Sequence, residues 1–364
     1  MKSNCSLNGH VYHAQAHLPH ALVRFPGGQL FQNFATVCDV CIPHEASSPT
    51  SGAWPGRSFF SVDNGTSWEE IQQPLGVNVL KNCIPVASKP NTIKCFAYPL
   101  SISNLDDNTT GTLLVSEFEA DGDKVRQVSV ENATIGGWPG LIPFDVSAPM
   151  TKGVAPGNWY MVQDGNAIQT RSGKWLLPMY GLLQEHHLSA PAPAPVNVVV
   201  INTDSTLLNW KLHSIVNNGS FCDFSDPRTR PYTWTTGRCD PTESALARLA
   251  DGKILYVWRN DPGYNISLMG QVSEDDGITW TRATPLNGPP VDDDRWGEPG
   301  GKISKGPFGV EPKLAMQDSG ALFISTGRPR IYLWGLPKGG DPLSDQWREC
   351  DNTASLLPPC LVSL

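Results

Sequence analysis

The sequence has no long hydrophobic run and no excess of basic residues. A membrane-spanning helix needs roughly 18 consecutive apolar residues, and no segment approaches that length, so no membrane span is predicted. Lysine and arginine together number 27 against 35 aspartates and glutamates, which gives a net charge of -8. Because nucleic acids are bound through basic surfaces, this balance argues against a nucleic-acid partner.

The sequence also lacks a linker, a charge run or a low-complexity tract that would divide it. We therefore predict that residues 1–364 form a single large domain built from repeats. Residues 1–9 carry no apolar stretch of the kind that a signal peptide contains, so no signal peptide is visible.

Cysteines and glycosylation sequons are present and favour the secretory pathway of a eukaryote. The sequons begin at Asn4, Asn64, Asn108, Asn132, Asn218 and Asn265. The cysteines number 9, and sequence-near candidate pairs are Cys38 with Cys41, Cys83 with Cys95, Cys222 with Cys239 and Cys350 with Cys360, leaving Cys5 over. Zinc is the alternative for Cys38 and Cys41. No second Cys-x-x-Cys accompanies them, which favours disulfides or free thiols.

Glycine and proline, in contrast, are abundant and spread along the whole chain, with 34 and 32 residues. Many short strands need many turns, and these two residue types supply them. The composition therefore predicts an all-β protein.

An eight-residue pattern, Ser-x-Asp-x-Gly-x-Ser/Thr-Trp, occurs at residues 61–68 and again at residues 273–280. Asp275 can accept hydrogen bonds from the backbone of its own turn, Gly277 can supply a positive φ, and Trp280 can cover apolar surface below. The pattern thus predicts a structural β-hairpin corner, and its recurrence predicts a repeat protein.

The repeating unit extends beyond this corner, because a strand, a tight turn and a second strand precede it. Turn glycines of this kind are Gly28, Gly173, Gly252 and Gly320. A fifth unit fits at Gly111, with a decayed corner at residues 119–122, and the third unit has a decayed corner that keeps Asp204 and Trp210 but no glycine between them.

Four-stranded units at this spacing are typical of the blades of a β-propeller. Five blades are recognisable, and the residues after Trp347 are too few for a sixth. Either the propeller has five blades or its last blade is incomplete, and we favour the second alternative.

The two corners and the segment 242–280 resemble the sialidase (neuraminidase) superfamily, whose blades carry this signature, known as the Asp box or BNR repeat. The resemblance implies a six-bladed propeller that removes terminal sialic acid. In that family three arginines bind the substrate carboxylate, a tyrosine is the nucleophile, a glutamate activates it and an aspartate is the acid/base. No cofactor and no metal are implied.

Glu243 and Arg259 lie nine residues before and seven residues after Gly252, at the ends of adjacent strands of one hairpin. Both side chains are therefore predicted to reach the same rim. In the roles of the resembling family, Arg259 binds a carboxylate and Glu243 takes a proton. The alternative is a structural salt bridge across the hairpin.

The next unit repeats this arrangement with Glu311 and Arg328, which flank Gly320, and both are candidate substrate-binding residues. Tyr180 occupies the place of Arg259 in the Gly173 unit and could stack on a sugar.

The chain departs from the resembling family at three positions. His20, with His17 nearby, stands near the place of the first carboxylate-binding arginine. Asp39 is the candidate acid/base, since it is the only aspartate in that neighbourhood. Tyr332 lies in a strand and is expected to pack in the core, so no nucleophilic tyrosine is recognised.

Two functions follow from these residues. The first is a sialidase-like exo-glycosidase that acts on a terminal acidic sugar of a glycan. The alternative is a non-catalytic propeller that binds glycans or a protein through the same rim after losing part of the site.

Overall fold

Short β-strands form the framework of the protein, as a computed structural model shows. The structure describes residues 2–7, 10–15, 17–35, 56–75, 79–101, 110–137, 161–163, 165–181, 196–217, 240–261, 267–288, 306–327, 332–344 and 346–350. None of these residues is helical, so the all-β prediction is confirmed for this part of the chain.

The chain divides into two compact units. The first contains residues 1–163 and 202–212, and the second contains residues 164–201 and 213–364. A single domain over residues 1–364 stays a prediction.

The first unit contains two antiparallel meanders of four strands each, in which every strand pairs with the next along the chain. One meander comprises β3 (His17–Arg24), β4 (Leu30–Ala35), β5 (Gly56–Ser61) and β6 (Glu69–Glu70). The other comprises β7 (Leu80–Pro85), β8 (Thr92–Ser101), β9 (Thr110–Asp121) and β10 (Lys124–Gly136). The unit also holds β1 (Lys2–Leu7), which pairs with β2 (His10–Gln15), and β11 (Met161–Gln163).

The core of the first unit is buried and contains four phenylalanines among aliphatic side chains. The rings of Phe31 on β4 and Phe118 on β9 have centroids 4.8 Å apart. Successive side chains of a strand point to opposite faces, so Ile93 and Cys95 of β8 reach this core together. Cys95 is bonded to Cys83 across the β7–β8 pair, which confirms that predicted disulfide.

The other predicted disulfides involve cysteines that lie largely outside the described residues. Cys350 is disulfide-bonded. The remaining candidates, Cys38, Cys41, Cys222, Cys239 and Cys360, lie outside the described residues.

The second unit contains three further meanders. The first comprises β12 (Ile168–Gln169), β13 (Trp175–Gly181) and β14 (Val196–Asn202), followed by β15 (Asn209–Asn217), although residues 202–212 of this stretch belong to the first unit. The second comprises β16 (Asp240–Arg248), β17 (Ile254–Asp261), β18 (Met269–Ser273) and β19 (Thr284–Pro285). The third comprises β20 (Val310–Met316), β21 (Leu322–Gly327), β22 (Tyr332–Leu336) and β23 (Arg348–Glu349). Trp258, Trp334 and Trp347 are fully buried within this unit.

The predicted turn glycines are confirmed. Gly28, Gly173, Gly252 and Gly320 have φ values of 97°, 80°, 85° and 90°, which favour glycine. In the Gly252 turn, the N–H of Leu249 donates to the carbonyl of Lys253 at 2.8 Å, and the N–H of Gly252 donates back to Leu249 at 2.9 Å. The same two bonds recur in the other three turns.

The predicted turn at Gly111 is wrong, because Gly111 lies inside β9. The turn of that meander falls between β7 and β8, where Asn91 has a φ of 61°. Asparagine tolerates this left-handed backbone, so the turn has no glycine to mark it. Residues 119–122 likewise form no corner, since β9 and β10 pair directly across a tight hairpin there.

The two predicted Asp-box corners have the expected hydrogen bonds. Asp275 accepts bonds from the N–H of Thr279 at 2.8 Å and from its hydroxyl at 2.6 Å, and the hydroxyl of Ser273 donates to it at 2.8 Å. Burial raises the pKa of Asp275, but these bonds outweigh it and hold the pKa at about 2. At Asp63, bonds from Ser67 and Ser61 likewise lower the pKa to about 2.

The third corner is more complete than its sequence suggests. Leu207, three residues before Trp210, has a φ of 61° where the other corners have glycine. The indole N–H of Trp210 donates to the carbonyl of Leu207 at 2.8 Å, as that of Trp68 does to Gly65 at 3.0 Å. Leu207 is 3% exposed, so burial of its side chain offsets the cost of the left-handed backbone.

Among the described residues, three separate four-stranded sheets are formed by β3–β6, β16–β19 and β20–β23. The strands β7–β10 and β12–β15 repeat the consecutive pairing but do not form separate four-stranded sheets, so the predicted blades are confirmed only in part. Residues 351–364 lie outside the described residues, so an incomplete sixth blade stays a prediction.

Candidate functional site

The hairpin of β16 and β17 is regular at its turn and irregular at its other end. Its register shifts between Pro241 and Ser244, so that Glu243 lies in a β-bulge. A bulge bends the strand and redirects side chains, which is common next to active sites.

Glu243 and Arg259 form an ion pair at this bulged end. Nη1 of Arg259 lies 3.1 Å from Oε1 of Glu243, and the two side chains are 10% and 17% exposed. The hydroxyl of Thr242 donates to the carbonyl of Arg259 at 3.3 Å and ties the two strands. The structure therefore brings together the two residues that the hairpin spacing predicts, in a partly buried setting where charges interact more strongly than at an open surface.

Glu311 contacts the same carboxylate through its backbone. Its N–H donates to Oε2 of Glu243 at 2.8 Å. Oε1 of Glu243 thus accepts from a guanidinium and Oε2 accepts from a backbone amide, which restricts the orientation of the carboxylate.

Glu311 and Glu243 occupy equivalent places in consecutive meanders. Each lies nine residues before its turn glycine, and the register of β20 with β21 also shifts around Glu311, between Val310 and Lys313. Counted from the turn, the counterpart of Arg259 is Gly327 rather than Arg328. Arg328 itself lies outside the described residues.

Tyr180 occupies the corresponding place in the β13 meander. It pairs with Asn197 of β14 and is half-buried. Asn197 is fully buried, and in the described part of the chain neither its amide oxygen nor its nitrogen has a hydrogen-bond partner. No sequence pattern marks the unpartnered Asn197 amide, which stands in an otherwise apolar run over residues 196–201.

The remaining predicted residues are not placed against this site. His20 lies in β3 where the register shifts between Pro19 and Ala21, and its side chain is outside the described residues. Asp39 is also outside them. Tyr332 is 2% exposed and packs on Phe308 with ring centroids 4.5 Å apart, as expected for a core tyrosine.

A cavity of about 500 Å³ lies toward the turn end of the same hairpin. Its walls include Leu246, Leu314 and Met316, with Arg248 and Asn166 as polar groups. Arg248 is bound to carbonyls and to a carboxylate of the protein, and the side chain of Asn166 accepts from the N–H of Leu314 at 2.7 Å. These polar groups hold the fold together, so the bulged end is the stronger candidate for chemistry.

Metal-ligand clusters and membrane-spanning helices are both absent from the described residues. No three His, Cys, Asp or Glu side chains among them cluster as metal ligands would. No helix among them is long and apolar enough to cross a membrane.

No protein-family model and no curated protein matches the sequence. Solved structures do match in fold. One is a protein of unknown function from Dyadobacter fermentans, with a TM-score of 0.54 and 14% identity over 93% of this chain and 84% of the other. An α-L-arabinofuranosidase of Fusarium graminearum has a TM-score of 0.51 and 13% identity over 92% of this chain and 80% of the other.

The Hadza microbial sialidase Hz136 has a TM-score of 0.50 and 13% identity over 90% of this chain. This chain spans 58% of the length of that sialidase. At such low identity the likeness shows the fold alone, which is that of β-propeller glycosidases.

Proposed function

We propose that the protein is a sialidase-like exo-glycosidase that hydrolyses a terminal acidic sugar, sialic acid or a related one, from glycans. The observation that carries this proposal is the Glu243–Arg259 pair at the bulged end of β16 and β17. The similarity in fold to a sialidase supports it.

In this proposal Arg259 binds the carboxylate of the sugar. A guanidinium is planar, permanently charged and matched to a carboxylate by parallel N–H donors. Its ion pair with Glu243 fixes its direction before substrate arrives, which lowers the entropy cost of binding.

Glu243 is the proposed base or base-assistant. A carboxylate that is held by two donors keeps one orientation, and proton transfer depends on that geometry before it depends on acidity. Tyr332 does not serve as the nucleophile of this reaction, because it is buried in the core. Arg328, Asp39 and His20 are proposed to complete the site.

The alternative is a non-catalytic propeller that binds glycans or a protein through the same rim. The observation that favours it is in the sequence, where His20, with His17 nearby, stands near the place at which the sialidase superfamily has a carboxylate-binding arginine. A histidine binds a carboxylate strongly only when it is protonated.

The decisive experiment is a fluorogenic assay with 4-methylumbelliferyl glycosides of sialic acid, of related acidic sugars and of α-L-arabinofuranose. We expect turnover of an acidic glycoside by the wild type and a loss of at least about 100-fold in Glu243→Gln. Glu274→Gln is the matched control, because its side chain is 73% exposed on the same meander, and it should retain full activity.

Three results would decide otherwise. Preferred turnover of the arabinofuranoside would replace the acidic sugar by that substrate. Equal turnover by wild type and Glu243→Gln would remove Glu243 from the mechanism. Glycan binding that Arg259→Ala abolishes, without turnover of any glycoside, would establish the non-catalytic alternative.

A further inference from the structure

The backbone of Glu311 is left-handed, with a φ of 48°. A side chain at positive φ crowds its own backbone, which is why glycine, asparagine and aspartate dominate this region. Glu311 also precedes Pro312, and a residue before proline is normally extended. Its conformation is therefore disfavoured for two independent reasons, and the surroundings must hold it.

Gly309 and the bulge of β20 hold this conformation. Gly309 has a φ of 108°, and a Cβ at that position would lie 2.6 Å from the carbonyl oxygen of Gly327. The backbone thus passes very close to β21 just before Glu311. Val310 then pairs with Gly327, and the register shifts before Lys313.

The bulge alone does not require a left-handed residue. Glu243 lies in the equivalent bulge of the preceding meander, and it is not among the described residues with positive φ. At Glu311 the N–H points to Oε2 of Glu243 and donates at 2.8 Å.

We propose that Glu311 is a positioning residue, whose left-handed backbone turns its amide N–H toward Glu243 and fixes that carboxylate. Strained conformations of this kind persist where the structure around them uses them. The inference rests on the proposed function of Glu243, and it assigns the role to the backbone of Glu311 rather than to its side chain.

Substitutions that separate backbone from side chain test this assignment. Glu311→Gly and Glu311→Asn remove the carboxylate but accept a positive φ, whereas Glu311→Val resists it. Glu311→Ala is a milder version of the valine change, for use if Glu311→Val does not fold. Thermal unfolding of each variant verifies that it is folded.

Two measurements read the outcome. One is kcat and KM on the acidic glycoside, and the other is the ¹³C titration of the Glu243 carboxyl by NMR, which needs no activity. We expect Glu311→Gly and Glu311→Asn to keep the Glu243 titration of the wild type and to lose far less kcat than Glu311→Val. Glu311→Val should lower kcat by on the order of 100-fold and displace the Glu243 titration, with Glu311→Ala between them.

The titration separates a failure of this inference from a failure of the proposed function. If the wild type proves inactive and Glu311→Val still displaces the Glu243 titration while Glu311→Gly does not, the positioning role stands without the glycosidase. Two results would overturn the proposal. Equal effects of Glu311→Gly and Glu311→Val would assign the positioning role to the side chain of Glu311. An unchanged Glu243 titration in every variant would show that Glu311 does not position Glu243.

Discussion

The two ends of the β16–β17 hairpin hold charged residues in different ways. At the turn end, the guanidinium of Arg248 donates to the carbonyl of Gln169 at 2.6 and 2.9 Å, to that of Gly252 at 2.8 Å, and to Asp276 at 2.9 Å. At the bulged end, Arg259 bonds to Glu243, which also accepts from the backbone amide of a left-handed residue of the next meander.

This difference indicates that the turn end has a structural role and that the bulged end is the candidate functional site. At the turn end, the positive φ values fall on Gly252, Gly277 and Asp276, residue types that tolerate a left-handed backbone, and the bonds of residues 273–280 are short-range. The bulged end combines a register shift, a partly buried ion pair and a strained non-glycine residue. Proteins tend to break local rules where function requires it, so the proposed chemistry is assigned to the bulged end.

The largest contrast is expected from exchanging each arginine for lysine. Arg259→Lys keeps the charge but loses the planar fork, so kcat/KM on an acidic glycoside should fall about 100-fold, mainly through KM. Arg248→Lys, on the same hairpin, should leave both constants unchanged. Steady-state kinetics of the two variants decide the matter, and equal losses would mean that the bulged end has no special role.

At the turn end we expect a smaller effect, on stability rather than on activity. Arg248→Met removes four hydrogen bonds from a half-buried guanidinium, so the free energy of unfolding should fall by about 2 kcal/mol. Urea denaturation measures this change. The variant should keep its kcat, and a loss of activity without a loss of stability would contradict the division between the two ends.

The turn end could be predicted from the sequence almost completely. Gly252 and the pattern at residues 273–280 act within a few positions of the chain, so a short segment contains all the atoms that define the conformation. The same reasoning gave a wrong turn at Gly111, because Asn91 carries the positive φ in that meander. It also underestimated the corner at Trp210, where a buried leucine, Leu207, takes the place of the glycine.

The bulged end could be predicted only in part. The strand spacing brings Glu243 and Arg259 together, since both lie on one hairpin. The amide of Glu311 could not be found in this way, because it comes from a different meander 68 positions away and carries no side-chain signature. The nearest signal was Gly309 two residues before a glutamate and a proline, which marks an unusual backbone but not its target.

The smallest expected effect is a pH dependence confined to the turn end. The pKa of Asp275 is about 2 in the folded protein against 3.8 for the unperturbed group, because its bonds to Thr279 and Ser273 outweigh the effect of burial. A carboxyl with a depressed folded pKa stabilises the protein fully above its unfolded pKa, and this contribution is lost as the pH falls from about 4 toward 2.

Asp275→Asn removes the titrating group, so the unfolding temperature of this variant should vary less with pH in that window than that of the wild type. Asp63→Asn at the other corner should behave alike, since hydrogen bonds from Ser67 and Ser61 also lower the pKa of Asp63 to about 2. Neither variant should change kcat above that window. Parallel unfolding curves for wild type and Asp275→Asn would show that the corner gains nothing from its charge, whereas a change in kcat would connect the turn end to the chemistry that we assign to Glu243.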